Sequence, residues 1–267
     1  MDYKLLCSDL DGTLLSTKSD VSKRTIAEIN RIKDHLRIIL VSARMPTAMY
    51  YIQKDLGIQH QPLICYNGAL VLENGKAIIS TTIPADITNE VYALCRPLET
   101  DLGLYHNTAW HVPKLSDRVD KEIRYTKTVP TIKDTAQTLL EWEKTNTGAH
   151  KIMLMGNVRH TDRLQATLNA LFSEELYIYR SNDTLIELAP KEVSKLKGIS
   201  ALLKPGEALR DVMAFGDNYN DLEMLAQCGL GVAVANAREA VKQLADHVAL
   251  TNVEDGVAKF LAENVHI

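Results

Sequence analysis

Apolar residues along this chain group in two ways. Short apolar runs within Leu5–Cys7, Arg37–Val41 and Pro62–Cys65, and again within Asp211–Phe215 and Gly229–Val234, read as buried strands. Stretches with apolar residues three and four apart lie between them. Ser22 to Asp34 carries Ile26, Ile29 and Ile32 behind a serine cap and predicts a helix. Helices are also predicted at Pro46–Leu56, Val193–Leu203, Leu222–Gln227, Arg238–Ala245 and Glu254–Glu263. Strand and helix in alternation predict βαβ units, hence an α/β fold with a doubly wound, Rossmann-like parallel sheet. Ala69 to Thr81 adds a hairpin that turns at Asn74 and Gly75.

From about Ile83 the texture changes. Helical patterns at Asp86–Leu98, Asp134–Lys144 and Arg159–Phe172 alternate with strand-like pieces at Gly103–His106, His150–Met155, Leu176–Arg180 and Thr184–Leu188, while Trp110 to Ile132 shows no clear period. The βαβ rhythm returns only after Pro190. The expected organisation is therefore a core made of residues 1–82 and 187–267, with an inserted α+β domain at 83–186.

The 267 residues are 46% hydrophobic, ample for such a core, and a formal net charge of −4 offers no basic footprint for nucleic acid. The apolar runs are too short to span a bilayer, so no membrane partner is expected. Met1 to Lys4 opens into the first strand without a leader pattern, and the expected location is cytoplasmic. Cys7, Cys65, Cys95 and Cys228 are scattered with no CxxC pair and read as small core residues. Trp110, His106 and His111 lack a ligand-like partner set, which leaves them a packing or surface role.

Chemistry concentrates where strands end. Asp9 and Asp11 follow the first apolar run, and Asp217 and Asp221 follow a later one. In a parallel sheet these ends share one edge, where ligands of open α/β folds bind. Taken singly, each acidic stretch is also an ordinary turn or helix cap. Taken together they form a hard oxygen donor set without His or Cys, which favours magnesium. A calcium EF-hand from Asp9 fails, because Leu14 and Asp20 stand where Gly and Glu are needed.

The segments Asp9-Leu10-Asp11-Gly12-Thr13, Ser42-Ala43-Arg44, Asn67-Gly68-Ala69, Val193-Ser194-Lys195 and Gly216-Asp217-Asn218-Tyr219-Asn220-Asp221 resemble, in this order, the motifs of the haloacid dehalogenase superfamily. Asn252 to Val257 resembles its C-terminal pattern. The chain is most similar to the Cof-type phosphatases that carry an α/β cap of the IIB class.

The resemblance implies a nucleophile at Asp9, which would form an aspartyl-phosphate, and a general acid and base at Asp11. It implies that Lys195 neutralises the phosphoryl charge, with Lys197 as the runner-up for that place. Leu10 and Ala43 would offer backbone N–H groups to the phosphoryl oxygens, Ser42 a hydroxyl, and Asn220 a contact from the far side. Asn67 would meet the leaving group or be a plain turn residue. Magnesium would be held by Asp9, the backbone carbonyl of Asp11, and Asp217, with Asp221 near enough to ligate or to orient water.

The implied function is magnesium-dependent hydrolysis of small phosphorylated metabolites, sugar phosphates or similar monoesters, by a monomer or weak homodimer. A sugar phosphomutase using the same intermediate and a non-catalytic phosphometabolite sensor are the alternatives. Two departures stand out. Ser-Ala-Arg replaces the commoner Thr-Gly-Arg, and Gly198 follows Lys197 rather than Lys195.

Overall fold

The computed structural model describes residues 3–266 and divides into two compact units, Met1–Ile79 with Ser194–Ile267 and Ser80–Val193. The expected outer limits, residues 1 and 267, lie outside the described residues. The expected inner boundaries both fall inside the second unit, and the later one cuts a strand, Leu185–Pro190. That strand pairs along its length with neighbours of the inserted sheet, so the crossing lies after it.

The first unit begins with β1 (Leu5–Asp9), α1 (Lys23–Ile32), β2 (Arg37–Val41), α2 (Thr47–Leu56), β3 (Leu63–Cys65), β4 (Leu70–Glu73) and β5 (Lys76–Ser80). Ser22 caps α1 by accepting from the Thr25 N–H. Asn74 and Gly75 take positive φ of 52° and 74°, the backbone that a tight hairpin between β4 and β5 demands.

The chain then builds the second unit from α3 (Ala85–Cys95), β6 (Asp101–His106), β7 (Ala109–Val112), α4 (Asp117–Thr126), β8 (Thr131–Ile132), α5 (Thr135–Thr145), β9 (Lys151–Met155), α6 (Val158–Phe172), β10 (Leu176–Asn182) and β11 (Leu185–Pro190). The sheet order is β10-β11-β9-β6-β7-β8, antiparallel except for the last pair. Strand alternation sends Leu102, Leu104, Ile152, Leu154, Ile186 and Leu188 to one face, where they form a core with Val91, Leu139, Leu164 and Leu168 of the helices. The stretch without a clear period, Trp110 to Ile132, holds β7, α4 and β8. Its helix is as long as α1, but the apolar stripe behind the Ser116 cap is thin, with Val119 and Ile123 four apart.

The first unit resumes with α7 (Lys195–Ala201), β12 (Val212–Gly216), α8 (Leu222–Gln227), β13 (Leu230–Val234), α9 (Glu239–Leu244), β14 (His247–Ala249) and α10 (Gly256–Asn264). Its eight strands run in the order β14-β13-β12-β1-β2-β3-β4-β5. From β14 to β3 all pairings are parallel, and the hairpin closes one edge antiparallel. The central strands are buried throughout, which explains their unbroken apolar runs. All four cysteines are buried thiols. Among the described residues no helix is long and apolar enough to cross a membrane.

Candidate active site

The sheet order places three strand ends side by side. Asp9 closes β1 opposite Val41 of β2, so Ser42 is the next residue beyond that neighbour, while Gly216 closes β12 on the other flank and leads into Asp217. Asp9 is 5% exposed and Asp221 fully buried. Between them lies the Lys195 ammonium, 2.6 Å from Asp9 Oδ1 and 2.6 Å from Asp221 Oδ1. Lys197 points two residues further round α7 and is exposed. The first residue of the helix, rather than the third, thus faces the carboxylates.

Carboxylate oxygens of Asp9, Asp217 and Asp221 all lie within 4.8 Å of one another. Burial, chiefly, raises the Asp9 carboxyl well above the usual carboxylate range; Lys195 opposes this, and Asp221 and Asp217 add to it. Burial and then the Asp221 charge push Asp217 up to about 6. Burial would depress Lys195, but Asp221 and Asp9 more than offset it and hold the ammonium above its ordinary value. One cation among three carboxylates leaves negative charge uncompensated. Asp9 Oδ2 is buried without a hydrogen-bond partner, and an all-oxygen set with an unmatched acceptor fits a hard divalent cation.

Asp221 is more fully occupied than the sequence suggests. Its Oδ2 accepts from the backbone N–H groups of Asp217 (2.9 Å) and Asn218 (3.0 Å), while Oδ1 takes Lys195. It fixes the loop and the lysine at once. Asp217 Oδ1 accepts from the Thr13 hydroxyl at 3.2 Å. Gly12, at φ 91°, lies against the same carboxylate: a Cβ there would come within 2.6 Å of Asp217 Oδ2.

Leu10 is buried at the start of the tight turn Leu10–Leu14, and Asp11 projects from that turn with its side chain 45% exposed. Ser42 is buried; its hydroxyl accepts from the Arg44 N–H at 3.2 Å, and Ala43 between them is half-buried. Asn67 belongs to three successive residues of positive φ, Tyr66 to Gly68. Backbone bonds from Tyr66 N–H to Arg44 O and from Asn67 N–H to Ser42 O hold that turn against the end of β2. Asn67 Oδ1 accepts from Asn220 Nδ2 at 3.0 Å, so these two expected binding residues meet each other.

Three supporting residues are given no role by the sequence: Asn236 lies outside every motif, while Asn252 and Arg44 stand in motifs without an assigned task. Asn236 donates to Gly12 O at 2.8 Å, and Asn252 donates to Leu15 O at 2.8 Å while its N–H bonds Asn236 Oδ1. The C-terminal pattern thus tethers the acidic turn. Arg44 grips both oxygens of Asp11, Nε to Oδ2 at 2.8 Å and Nη2 to Oδ1 at 2.7 Å.

Comparison with known proteins identifies the family. Residues 6–261 match the haloacid dehalogenase-like hydrolase family. A Haemophilus influenzae protein is 32% identical over 268 residues, covering 98% of each chain. The Bacillus subtilis 5-amino-6-(5-phospho-D-ribitylamino)uracil phosphatase is 29% identical over 275 residues, covering 97% of this chain and 96% of that one. A solved haloacid dehalogenase-like hydrolase from Bacteroides thetaiotaomicron superimposes with a TM-score of 0.88 at 27% identity, over 98% of this chain and 99% of the other. The chain belongs to the haloacid dehalogenase-like hydrolases and, within them, to the Cof-type phosphatases.

Proposed function

We propose that this phosphatase hydrolyses small phosphorylated metabolites, sugar phosphates or similar monoesters, through an aspartyl-phosphate on Asp9, with magnesium as its cofactor. Asp9 supports this most directly: a strand-end carboxylate, buried, held by Lys195 through one oxygen and left without a partner on the other. Its carboxylate attacks phosphorus as the bond to the leaving oxygen breaks, and that oxygen takes a proton from the Asp11 carboxyl. Asp11 then removes a proton from water, the water oxygen bonds to phosphorus, and the electron pair of the acyl-phosphate bond returns to Asp9.

Lys195 balances phosphoryl charge beside Asp9. Ser42, the N–H groups of Leu10 and Ala43, and the Asn220 amide held by Asn67 orient the phosphoryl oxygens. Magnesium would be held by Asp9, Asp217 and the Asp11 backbone carbonyl, with Asp221 beside them, and would supply positive charge where the carboxylates and a phosphoryl group converge. The inserted unit is assigned substrate choice. The name of the Bacillus subtilis relative, whose substrate is a phosphorylated polyol on a heterocycle, puts that chemical class on the panel beside plain sugar phosphates.

Phosphate release from such a panel, with magnesium or with chelator, tests the proposal. Release should require magnesium and vanish in Asp9→Asn. Binding without release across the panel would favour a sensor, and a transient bisphosphate would favour a mutase.

A further inference from the structure

Every N–H of the Arg44 guanidinium has an acceptor. Nε and one Nη2 hydrogen go to the two Asp11 oxygens, and the other Nη2 hydrogen goes to Lys18 O at 2.8 Å. Nη1 reaches the Tyr51 hydroxyl at 3.1 Å and Ala48 O at 3.4 Å. Tyr51 in turn donates to Ser19 O at 2.7 Å. The arginine side chain is 6% exposed against 45% for Asp11. Arg44 is therefore the fixed partner, anchored to α2 and to residues 18–19, and Asp11 is the partner free to turn.

A carboxylate with both oxygens accepting from one guanidinium has a lone pair of each committed to it, and the fork fixes the plane in which the carboxylate lies. Acid or base work on a substrate oxygen or a water requires one oxygen to face that atom. A half-exposed aspartate with no partner would spread over its rotamers, so holding it near the productive one saves orientation at each turnover.

We propose that Arg44 is a positioning residue for Asp11: its guanidinium docks the carboxylate in the resting enzyme and keeps hold of one oxygen while the other swings to the reacting atoms. This rests on the acid–base role given to Asp11 under Proposed function. Tyr51 serves the same end by fixing the guanidinium plane. Nothing in the composition of Ser42-Ala43-Arg44 points to this, because the partner is 33 residues away in sequence.

Leaving groups that do and do not need a proton separate this role from a structural one. Rapid-quench single turnovers would follow release of p-nitrophenolate from p-nitrophenyl phosphate and of glycerol from glycerol phosphate, in the wild type, Arg44→Lys and Tyr51→Phe. Nitrophenolate leaves without protonation, whereas an alkoxide does not. Arg44→Lys should slow glycerol release by about 100-fold and nitrophenolate release by less than about threefold, within the usual range for acid catalysis. Tyr51→Phe, which keeps the charge and the packed ring, should shift the two rates apart in the same direction by about three- to tenfold, and it decides the matter if Arg44→Lys does not fold. Equal slowing of both leaving groups, or no slowing of either, overturns the Arg44 proposal alone. If Asp11→Asn releases glycerol as fast as the wild type, the acid–base reading falls and takes this one with it.

Discussion

Each unit of this protein gathers polar side chains around a buried titratable group, Lys195 in one and His150 in the other, and the two clusters are built on opposite terms. In the first unit Asp9, Asp217, Asp221 and Lys195 crowd together with charge left over and one buried oxygen unmatched. In the second, His106 and His150 lie with ring centroids 5.0 Å apart and their bonds fix both tautomers. His106 Nδ1 donates to Gly148 O at 2.8 Å and Nε2 accepts from the Asn107 amide. His150 Nδ1 accepts from the Asn107 N–H at 3.1 Å, which leaves Nε2–H to donate to the Ser80 hydroxyl at 3.0 Å. Both rings have hydrogen-bond partners at each nitrogen. Trp142 packs edge-on to His106, and the whole assembly behaves as core. A cluster that burial leaves short of a partner is prepared for a ligand; one that burial satisfies is prepared for stability.

The sharpest way to break the comparison is to remove the one cation of the first cluster. Lys195→Met should lower phosphate release by at least about 1000-fold and, because it strands two buried carboxylates, destabilise the fold by about 3–5 kcal/mol in chelator. Magnesium should recover part of that stability but little of the activity, as thermal melts with and without the metal would show. A melt indifferent to magnesium would mean that the carboxylates do not share a cation.

The histidine cluster makes a pH prediction. Burial, then the neighbouring His106, lowers His150 from its ordinary 6.5 to about 4. The unfolded chain therefore takes up the proton first. This contribution to stability is complete above pH 6.5 and is lost as pH falls, with on the order of 3 kcal/mol gone below pH 4. Both tryptophans, Trp110 and Trp142, lie in the second unit, so their fluorescence in denaturant titrations at several pH values reports on that unit. His150→Gln should flatten the dependence between pH 6.5 and 4.

Two backbone changes sharpen the first cluster further. A Cβ on Gly68 would run into the Ser194 carbonyl oxygen, and its φ of 99° disfavours any side chain. Gly68→Ala should cost about 2 kcal/mol or more and weaken phosphate binding through Asn67, measured by product inhibition. Ala43→Gly restores the commoner form of the second motif. It should change turnover by less than about threefold, since the buried Ser42 hydroxyl and both backbone carbonyls that hold the neighbouring turn are untouched.

Much of the first cluster was legible in the sequence because its residues stand at strand ends, where an apolar run stops and an acid begins. Asp9, Asp217 and Asp221 come together because β1 and β12 pair in parallel, and the choice of Lys195 over Lys197 follows from which face of α7 is buried. The parts that could not be read are tertiary. Asn236 and Arg44 act on partners whose nearness depends on loop paths, and Asp221 is saturated by backbone N–H groups that no side-chain motif encodes. In the second unit β7, α4 and β8 were illegible for a different reason. Strands β7 and β8 are short, α4 has only a thin apolar stripe, and the aromatic stack of Tyr105 on Trp110 forms across strands rather than along one. The boundary at 187 failed similarly, since β11 belongs by pairing to the sheet before it.

Asp9 and Lys195 are 186 residues apart, with the whole second unit between them. On a ribosome that separation becomes a matter of timing. Strand β1 emerges early beside β2, but its other neighbour, β12, is made only after the insert is complete, so for most of synthesis β1 is an open sheet edge. The insert is continuous in sequence and has no such wait. Nascent chains stalled with Val193 clear of the exit tunnel should yield a protease-resistant fragment from the insert while residues near β1 remain cleavable; early protection of β1 would show that the core edge is shielded by something other than its native partner.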